Sequence, residues 1–219
     1  MDVDIPQTPV GRGFNPQYEQ PPLTPLMLDI SGDPEPPTPE PGAGYRCACC
    51  GIWTEKLWQG SRAGFVQPHA VCTLCYLVGH LDSPTAMHGC LAYLPGMSLN
   101  NVQHLQRRVL VSLLGGNKLQ RREAARIARW LWGHTREVEQ AWGTARAADF
   151  AVSLKRLPPQ KRVTLQTRLK DCALLLPMDL FDDFALLLPA GKTIEAALTS
   201  RSWDTYTRSD LYVEPDTLG

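Results

Sequence analysis

Cys47-Ala48-Cys49-Cys50 and Cys72-Thr73-Leu74-Cys75 are the two segments that decide the fold of this 219-residue chain. Each segment contains a Cys-x-x-Cys pair, and 21 residues separate the two pairs. Two thiolates at this spacing lie on one tight turn and reach one metal ion, so two such turns complete a tetrahedral site. The sequence therefore predicts one zinc ion, with the ligands Cys47, Cys50, Cys72 and Cys75.

Other residues near these segments leave alternative ligand sets open. Cys49 competes with Cys47 for a place in the first pair, because both lie close to Cys50 in the chain. A second, weaker metal site is a further alternative, and it would draw on residues that flank or follow the second pair. The alternate ligands are Cys49, His69, His80, His88 and Cys90.

Two local motifs resemble known zinc-binding segments. Cys72, Cys75, Gly79, His80 and Cys90 resemble a retroviral-type zinc knuckle, Cys-x2-Cys-x3-Gly-His-x4-Cys, although nine residues separate His80 from Cys90 here. The Cys72-Thr73-Leu74-Cys75-Tyr76 segment, with its upstream pair, is similar to the zinc finger of adenoviral early 1A transactivators. In that family the finger follows an acidic, proline-rich region, and the similarity implies a motif-bearing arm, a zinc module and a partner-binding region.

Composition divides the chain into four regions. Residues 1–45 contain 11 of the 19 prolines and one basic residue, which predicts a disordered, acidic, proline-rich arm. The apolar island in this arm, Leu26-Met27-Leu28-Asp29-Ile30, is its best candidate for a linear motif that docks host proteins. Residues 46–98 form a small zinc module, residues 99–202 a basic helical bundle and residues 203–219 a tail.

Apolar periodicity predicts a mainly α fold with five or six short helices. Val102, Leu105, Val109 and Leu113 mark the first helix. Asn117 caps the second, which turns Leu119, Ala124, Ile127 and Leu131 inward. The remaining helices are expected over about 135–156, 163–176, 179–188 and 194–200.

The formal net charge of zero hides an uneven distribution of charge. The net charge is −6 over residues 1–45, +1 over 46–100, +9 over 101–163 and −4 over 164–219. A basic centre between acidic ends indicates a surface for an acidic partner, or charge pairing within the chain. The candidate contact residues are Arg107, Arg108, Arg121, Arg122, Arg126 and Arg129.

Arginines beside Trp130 and Trp132 suit phosphate contacts combined with base stacking, so nucleic acid is the first candidate partner. An acidic protein is the second candidate, and a solvated helix face without a partner is the third interpretation. Nucleotide-binding, metalloprotease and serine-hydrolase signatures are missing from the sequence. A RING-like ubiquitin ligase is the remaining enzymatic alternative, because eight Cys and His residues lie between positions 47 and 90 outside Cys49.

The sequence thus predicts a non-enzymatic, zinc-binding regulator that binds nucleic acid in transcription or RNA control. The alternative is an adaptor that recruits or blocks a host factor through its arm and zinc module. This layout is typical of viral accessory proteins. A transmembrane run and a secretory signal are both missing, so the expected location is intracellular, in the nucleus, the cytoplasm or both.

Overall fold

A computed structural model of the chain describes residues 23–31, 39, 46–60 and 69–198. The described part is mainly α, as the sequence predicted. Its strands are β1 (Leu57–Gly60), β2 (His69–Cys72), β3 (Cys90–Tyr93) and β4 (Cys172–Leu175). Its helices are α1 (Thr73–Gly79), α2 (Leu99–Gly115), α3 (Lys118–Gly133), α4 (Thr135–Trp142), α5 (Ala147–Arg156), α6 (Pro159–Arg168) and α7 (Ile194–Leu198). Short 3-10 turns lie at Ala86–His88, Met178–Leu180 and Phe184–Leu186.

The strands form two small antiparallel pairs. β1 pairs with β2, so that Leu57 lies opposite Cys72, and β3 pairs with β4, so that Cys90 lies opposite Leu175. The second pair joins residues from both sides of the boundary predicted at residue 98. One core cluster also spans that boundary, since it contains the cysteines together with Val138, Phe150 and Leu187.

β4 occupies a segment where the sequence predicted the end of a helix, and that prediction is wrong. α6 ends at Arg168, and every residue of β4 is buried. A short, continuously apolar run fits a fully buried strand as well as a buried helix, so its periodicity did not distinguish the two. Pairing with β3 satisfies the backbone of this segment inside the core.

Two other predicted helices are interrupted. The helix expected over 135–156 divides into α4 and α5 because Gly143 takes φ +78°, a left-handed conformation that ends α4. The helix expected over 179–188 is instead two 3-10 turns, with Phe181 and Leu187 buried between and after them. The Asn117 cap of α3 is confirmed, because its side chain accepts hydrogen bonds from the N–H groups of Leu119 and Gln120.

α2 is the central helix, and it packs against α1, α3, α7 and β4. The predicted apolar stripe lies inward as expected, with Val102 and Val109 buried and Leu105 and Leu113 half-buried. The opposite side is buried as well, and it carries Gln103, His104, Gln106 and Arg107. In α3 the predicted inward position of Leu119 is wrong, because this side chain is 74% exposed.

Part of the proline-rich arm packs onto the core, which corrects the prediction of disorder for residues 23–31. Leu28 and Ile30 are buried, and the backbone of Asp29 exchanges hydrogen bonds with Val78 and Leu81. Gln166 of α6 donates to the Leu28 carbonyl at 3.3 Å. The apolar segment at residues 26–30, predicted to bind host proteins, therefore packs against the core of its own chain. The rest of the arm, apart from residue 39, and the predicted tail lie outside the described residues.

No helix within the described ranges combines the length and the apolar character that crossing a bilayer requires.

Leu28→Ala should lower the free energy of unfolding by about 2–5 kcal/mol, because it removes a buried side chain from the core. Met27→Ala is the matched control, since Met27 is 40% exposed and its loss should cost under about 0.5 kcal/mol. Urea denaturation measures both variants. Equal stabilities of the two variants would show that residues 23–31 do not belong to the folded core.

Candidate metal centre

The first cysteine pair lies on a tight turn that follows residue 46. The Cys47 N–H donates to the Ile52 carbonyl at 2.8 Å, and the Gly51 N–H donates to the Cys47 carbonyl at 3.0 Å. Gly51 has φ +74°, a conformation that glycine adopts without strain. The Cys50 N–H points back at the Cys47 sulfur at 3.5 Å, so the backbone itself supports a thiolate at Cys47.

The second pair lies where β2 passes directly into α1. Cys72 ends β2 and is the N-cap residue of α1, and Cys75 lies in the first turn of that helix. Helix N-termini favour thiolates because their backbone N–H groups lack partners within the helix. The Ala48 N–H donates to the Ala70 carbonyl at 2.9 Å, so β2 also holds the first turn in place.

The four sulfurs of Cys47, Cys50, Cys72 and Cys75 converge on one point. All four Sγ atoms lie within 4.8 Å of one another, and all four residues are buried. The Cys50 and Cys72 sulfurs are 3.6 Å apart. A tetrahedral zinc site with Zn–S bonds of about 2.3 Å places its sulfurs about 3.8 Å apart, so these four residues fit one such ion. The predicted ligand set can therefore hold a single metal ion.

The Arg107 side chain of α2 reaches this cluster. Its guanidinium is fully buried, donating to the Cys72 sulfur at 3.0 Å and to the Leu187 carbonyl at 2.9 Å. Burial alone would lower the pKa of Arg107, but the surrounding cysteine sulfurs raise it above its ordinary value. The guanidinium therefore stays charged and offsets part of the negative charge that thiolates bring to the site.

The sulfurs differ in how readily they ionise. Burial opposes the Cys72 thiolate, but hydrogen bonds from the other three cysteines and the charge of Arg107 hold the Cys72 pKa well below its ordinary value. Burial also opposes the Cys47 thiolate, and the hydrogen bond from Cys50 lowers the Cys47 pKa nonetheless. Hydrogen bonds with Cys47 raise the pKa of Cys50 and of Cys75. The sulfurs of Cys72 and Cys47 thus favour the deprotonated form that metal ligation requires.

Two further polar side chains of α2 hold the elements around the cluster. His104 Nε2 lies 2.8 Å from the Cys50 carbonyl, and burial followed by the charge of Arg107 lowers the His104 pKa, so the neutral ring donates this bond. Gln106 donates to the Leu174 carbonyl at 3.1 Å and accepts from the Leu176 N–H at 2.6 Å. α2 therefore fixes both the first cysteine turn and β4.

Sequence reasoning missed these supporting roles. Gln103, Gln106, Arg107 and Leu110 lie on one helical face at spacings of three and four residues. The sequence predicted Arg107 of this face as part of a basic contact surface, because a polar face opposite an apolar one is typical of a surface helix, whereas both faces of α2 are covered. Polar residues on a helix covered on both sides indicate partners inside the protein, since buried polar groups need hydrogen bonds.

The alternate ligands lie outside the four-cysteine group. Cys49 is buried beside it, and His80 stacks on Tyr76 with a centroid distance of 3.8 Å. His69 begins β2 opposite Gly60, His88 is exposed, and Cys90 is half-buried on β3, where burial raises its pKa. Among the described residues, Cys47, Cys50, Cys72 and Cys75 form the one group of His, Cys, Asp and Glu side chains arranged to hold a metal. Neither the knuckle closed by His80 and Cys90 nor a second site is formed there.

The predicted basic contact residues divide between the core and the surface. Arg107 is wrong as a surface contact, because it is completely buried and bonded to Cys72. Arg108 is half-buried. The four arginines of α3 are exposed, and they are Arg121, Arg122, Arg126 and Arg129. Trp130 is also half exposed to solvent, whereas Trp132 is more covered.

No protein-family model matches the chain, and no curated protein matches it.

Arg107→Met should weaken zinc affinity about 10–100-fold, because it removes a charged donor that holds and neutralises a ligand sulfur. Stability should also fall by about 1.5–3 kcal/mol, the range for a hydrogen bond to a charged group. Competition with a chromophoric chelator measures the affinity. Arg126→Met is the control, since this side chain is exposed on α3, and it should leave affinity unchanged. An Arg107→Met protein that binds zinc as tightly as the unmodified chain would contradict this role.

Proposed function

We propose that Cys47, Cys50, Cys72 and Cys75 bind one zinc ion that serves a structural role. Four buried sulfurs that all lie within 4.8 Å of one another are a soft ligand set of the kind zinc prefers. Four protein ligands fill the tetrahedral coordination shell, so a substrate has no position on the metal. This closed arrangement supports a non-enzymatic protein in which the metal stabilises a binding scaffold.

We further propose that this scaffold binds nucleic acid through the outer face of α3, defined by Leu119, Arg122, Arg126, Arg129 and Trp130. These residues follow one another at helical spacings of three and four positions, with Trp130 beside Arg129. All five are exposed, including Leu119 at 74% and Trp130 at 50%. The observation that carries the proposal is this row of exposed arginines bounded by two exposed apolar side chains.

Charge around the outer face supports contact with phosphates. α3 contains five basic residues and one acidic residue, Glu123. Within the described part of the chain, Arg122 and Arg126 form no ion pair with a carboxylate. Their guanidinium groups are therefore available for phosphate oxygens, which they bind in a bidentate manner. Trp130 offers a ring on which an unpaired base can stack, as in proteins that bind single strands.

Substitution of Arg122 and Arg126 tests this proposal. The double variant Arg122→Gln/Arg126→Gln should bind a fluorescent single-stranded oligonucleotide at least about tenfold more weakly than the unmodified chain. The slope of log affinity against log salt should also shrink by about 1.4, since each lost phosphate contact on a single strand contributes about 0.7. Fluorescence anisotropy across a salt series measures both quantities.

Lys155→Gln/Arg156→Gln on α5 is the matched control, because it removes the same charge from exposed positions on another helix. This variant should retain nearly all of the affinity. Equal losses in the two double variants would indicate attraction by net charge without a defined surface. An unmodified chain that does not bind the oligonucleotide would overturn the proposal.

A further inference from the structure

An apolar groove with a volume of about 420 Å³ lies between α2, α3 and residues 175–179. α2 contributes Val109, Leu110 and Leu113, and α3 contributes Ala128, Leu131 and Trp132. Met178 closes the third side and is 49% exposed. The groove is thus a solvent-open, mainly apolar concavity bounded by three elements, and its volume is in the range of pockets that bind ligands.

Hydrogen bonds and packing hold the walls of the groove in place. The Gln106 side chain, which also lines the groove, bonds to the backbone of Leu174 and Leu176 and so fixes the strand wall against α2. Leu131 of α3 is buried in a core cluster that also contains Val102 and Leu175. Because these side chains are packed or hydrogen-bonded, the groove is preformed and a ligand need not order it.

The edge of the groove formed by α3 is basic. At 100° per residue, Ala125 and Arg129 lie next to Ala128 and Trp132 on the surface of the helix, and Lys118 and Arg122 continue the same edge. Arg129 Nε donates to the Ala125 carbonyl at 3.3 Å, so the side chain turns back along this edge. The opposite edge ends in Asp179, which is exposed. A ligand bound in the groove would therefore lie beside positively charged side chains along the α3 edge.

We propose that this groove binds an amphipathic helical segment of a protein partner. The apolar side of the segment would pack against Leu113, Trp132 and Met178. Its acidic side chains would lie along Arg129 and Arg122. An apolar row flanked by acidic residues matches both the apolar floor and the basic edge, as in helix-in-groove recognition. Nucleic acid lacks such an apolar row, so the apolar floor of the groove distinguishes this occupant from nucleic acid. The groove shares Arg122 and Arg129 with the outer face of α3, but its apolar floor does not belong to that face, and the inference does not rest on the nucleic-acid proposal.

The test uses the full chain and a fluorescent designed peptide of about 16 residues, long enough for about four helical turns. The probe carries leucine and phenylalanine at helical spacing, with glutamate along one flank. A matched probe replaces every glutamate with lysine and keeps the apolar residues. We expect the acidic probe to bind at least about tenfold more tightly than the basic probe, as measured by anisotropy.

Two exposed apolar positions supply the variant and its control. Met178→Glu should weaken the acidic probe at least tenfold, because it places a like charge in the groove. Val163→Glu should leave binding unchanged, because Val163 is 61% exposed on α6 and does not line the groove. Neither substitution removes a buried side chain, so both variants should fold.

Several results would overturn the inference. One is a failure of the acidic probe to bind, as would occur if another part of this chain filled the groove. Another is equal weakening by Met178→Glu and Val163→Glu. A stable dimer in sedimentation velocity that Met178→Glu dissociates would assign the groove to a second copy of the chain. Met178→Glu should leave oligonucleotide affinity intact, so this proposal and the nucleic-acid proposal can fail separately.

Discussion

The hydrogen bond from Arg107 to the Cys72 sulfur joins the cysteine turns to the helical part of the protein. Four thiolates around a divalent ion would leave a net negative charge in a buried site, and such a charge is costly unless it is compensated. Arg107 supplies a buried positive charge there and donates its second bond to the Leu187 carbonyl. One side chain thus connects residues 35 and 80 positions away in the chain.

The other polar residues of α2 extend this arrangement. His104 holds the first cysteine turn through the Cys50 carbonyl, and Gln106 holds β4 through Leu174 and Leu176. Residues 23–31 hydrogen-bond to the first cysteine turn through the Ala48 carbonyl and also to α1 and α6. A small cysteine-rich segment buries little apolar surface alone, so it depends on the shared core, and a metal ion held by the four cysteines would stabilise it further. The rigid body that results presents α3 and the groove beside it.

The sequence predicted what depends on local chemistry. The paired spacing of Cys47, Cys50, Cys72 and Cys75 was sufficient to identify the four residues that can hold one metal ion, and the side-chain chemistry of Asn117 was sufficient to locate the start of α3. It did not predict what depends on distant partners. Arg107 has the same local surroundings as Arg108, and only tertiary packing buries one of them. β4 is a strand because β3 lies beside it. Residues 23–31 pack because Leu26, Leu28 and Ile30 contact the core, which an average over the proline-rich arm does not reveal.

The most direct measurement is the zinc content of the protein purified without chelator, determined together with thermal unfolding before and after zinc removal. One zinc per chain is expected, and a strong chelator should abolish the cooperative unfolding transition, since the core is built around the four cysteines. Cys75→Ser should behave like the chelated protein. A chain that contains no zinc, or one that unfolds with the same cooperative transition after zinc is removed, would contradict a fold organised around this metal centre.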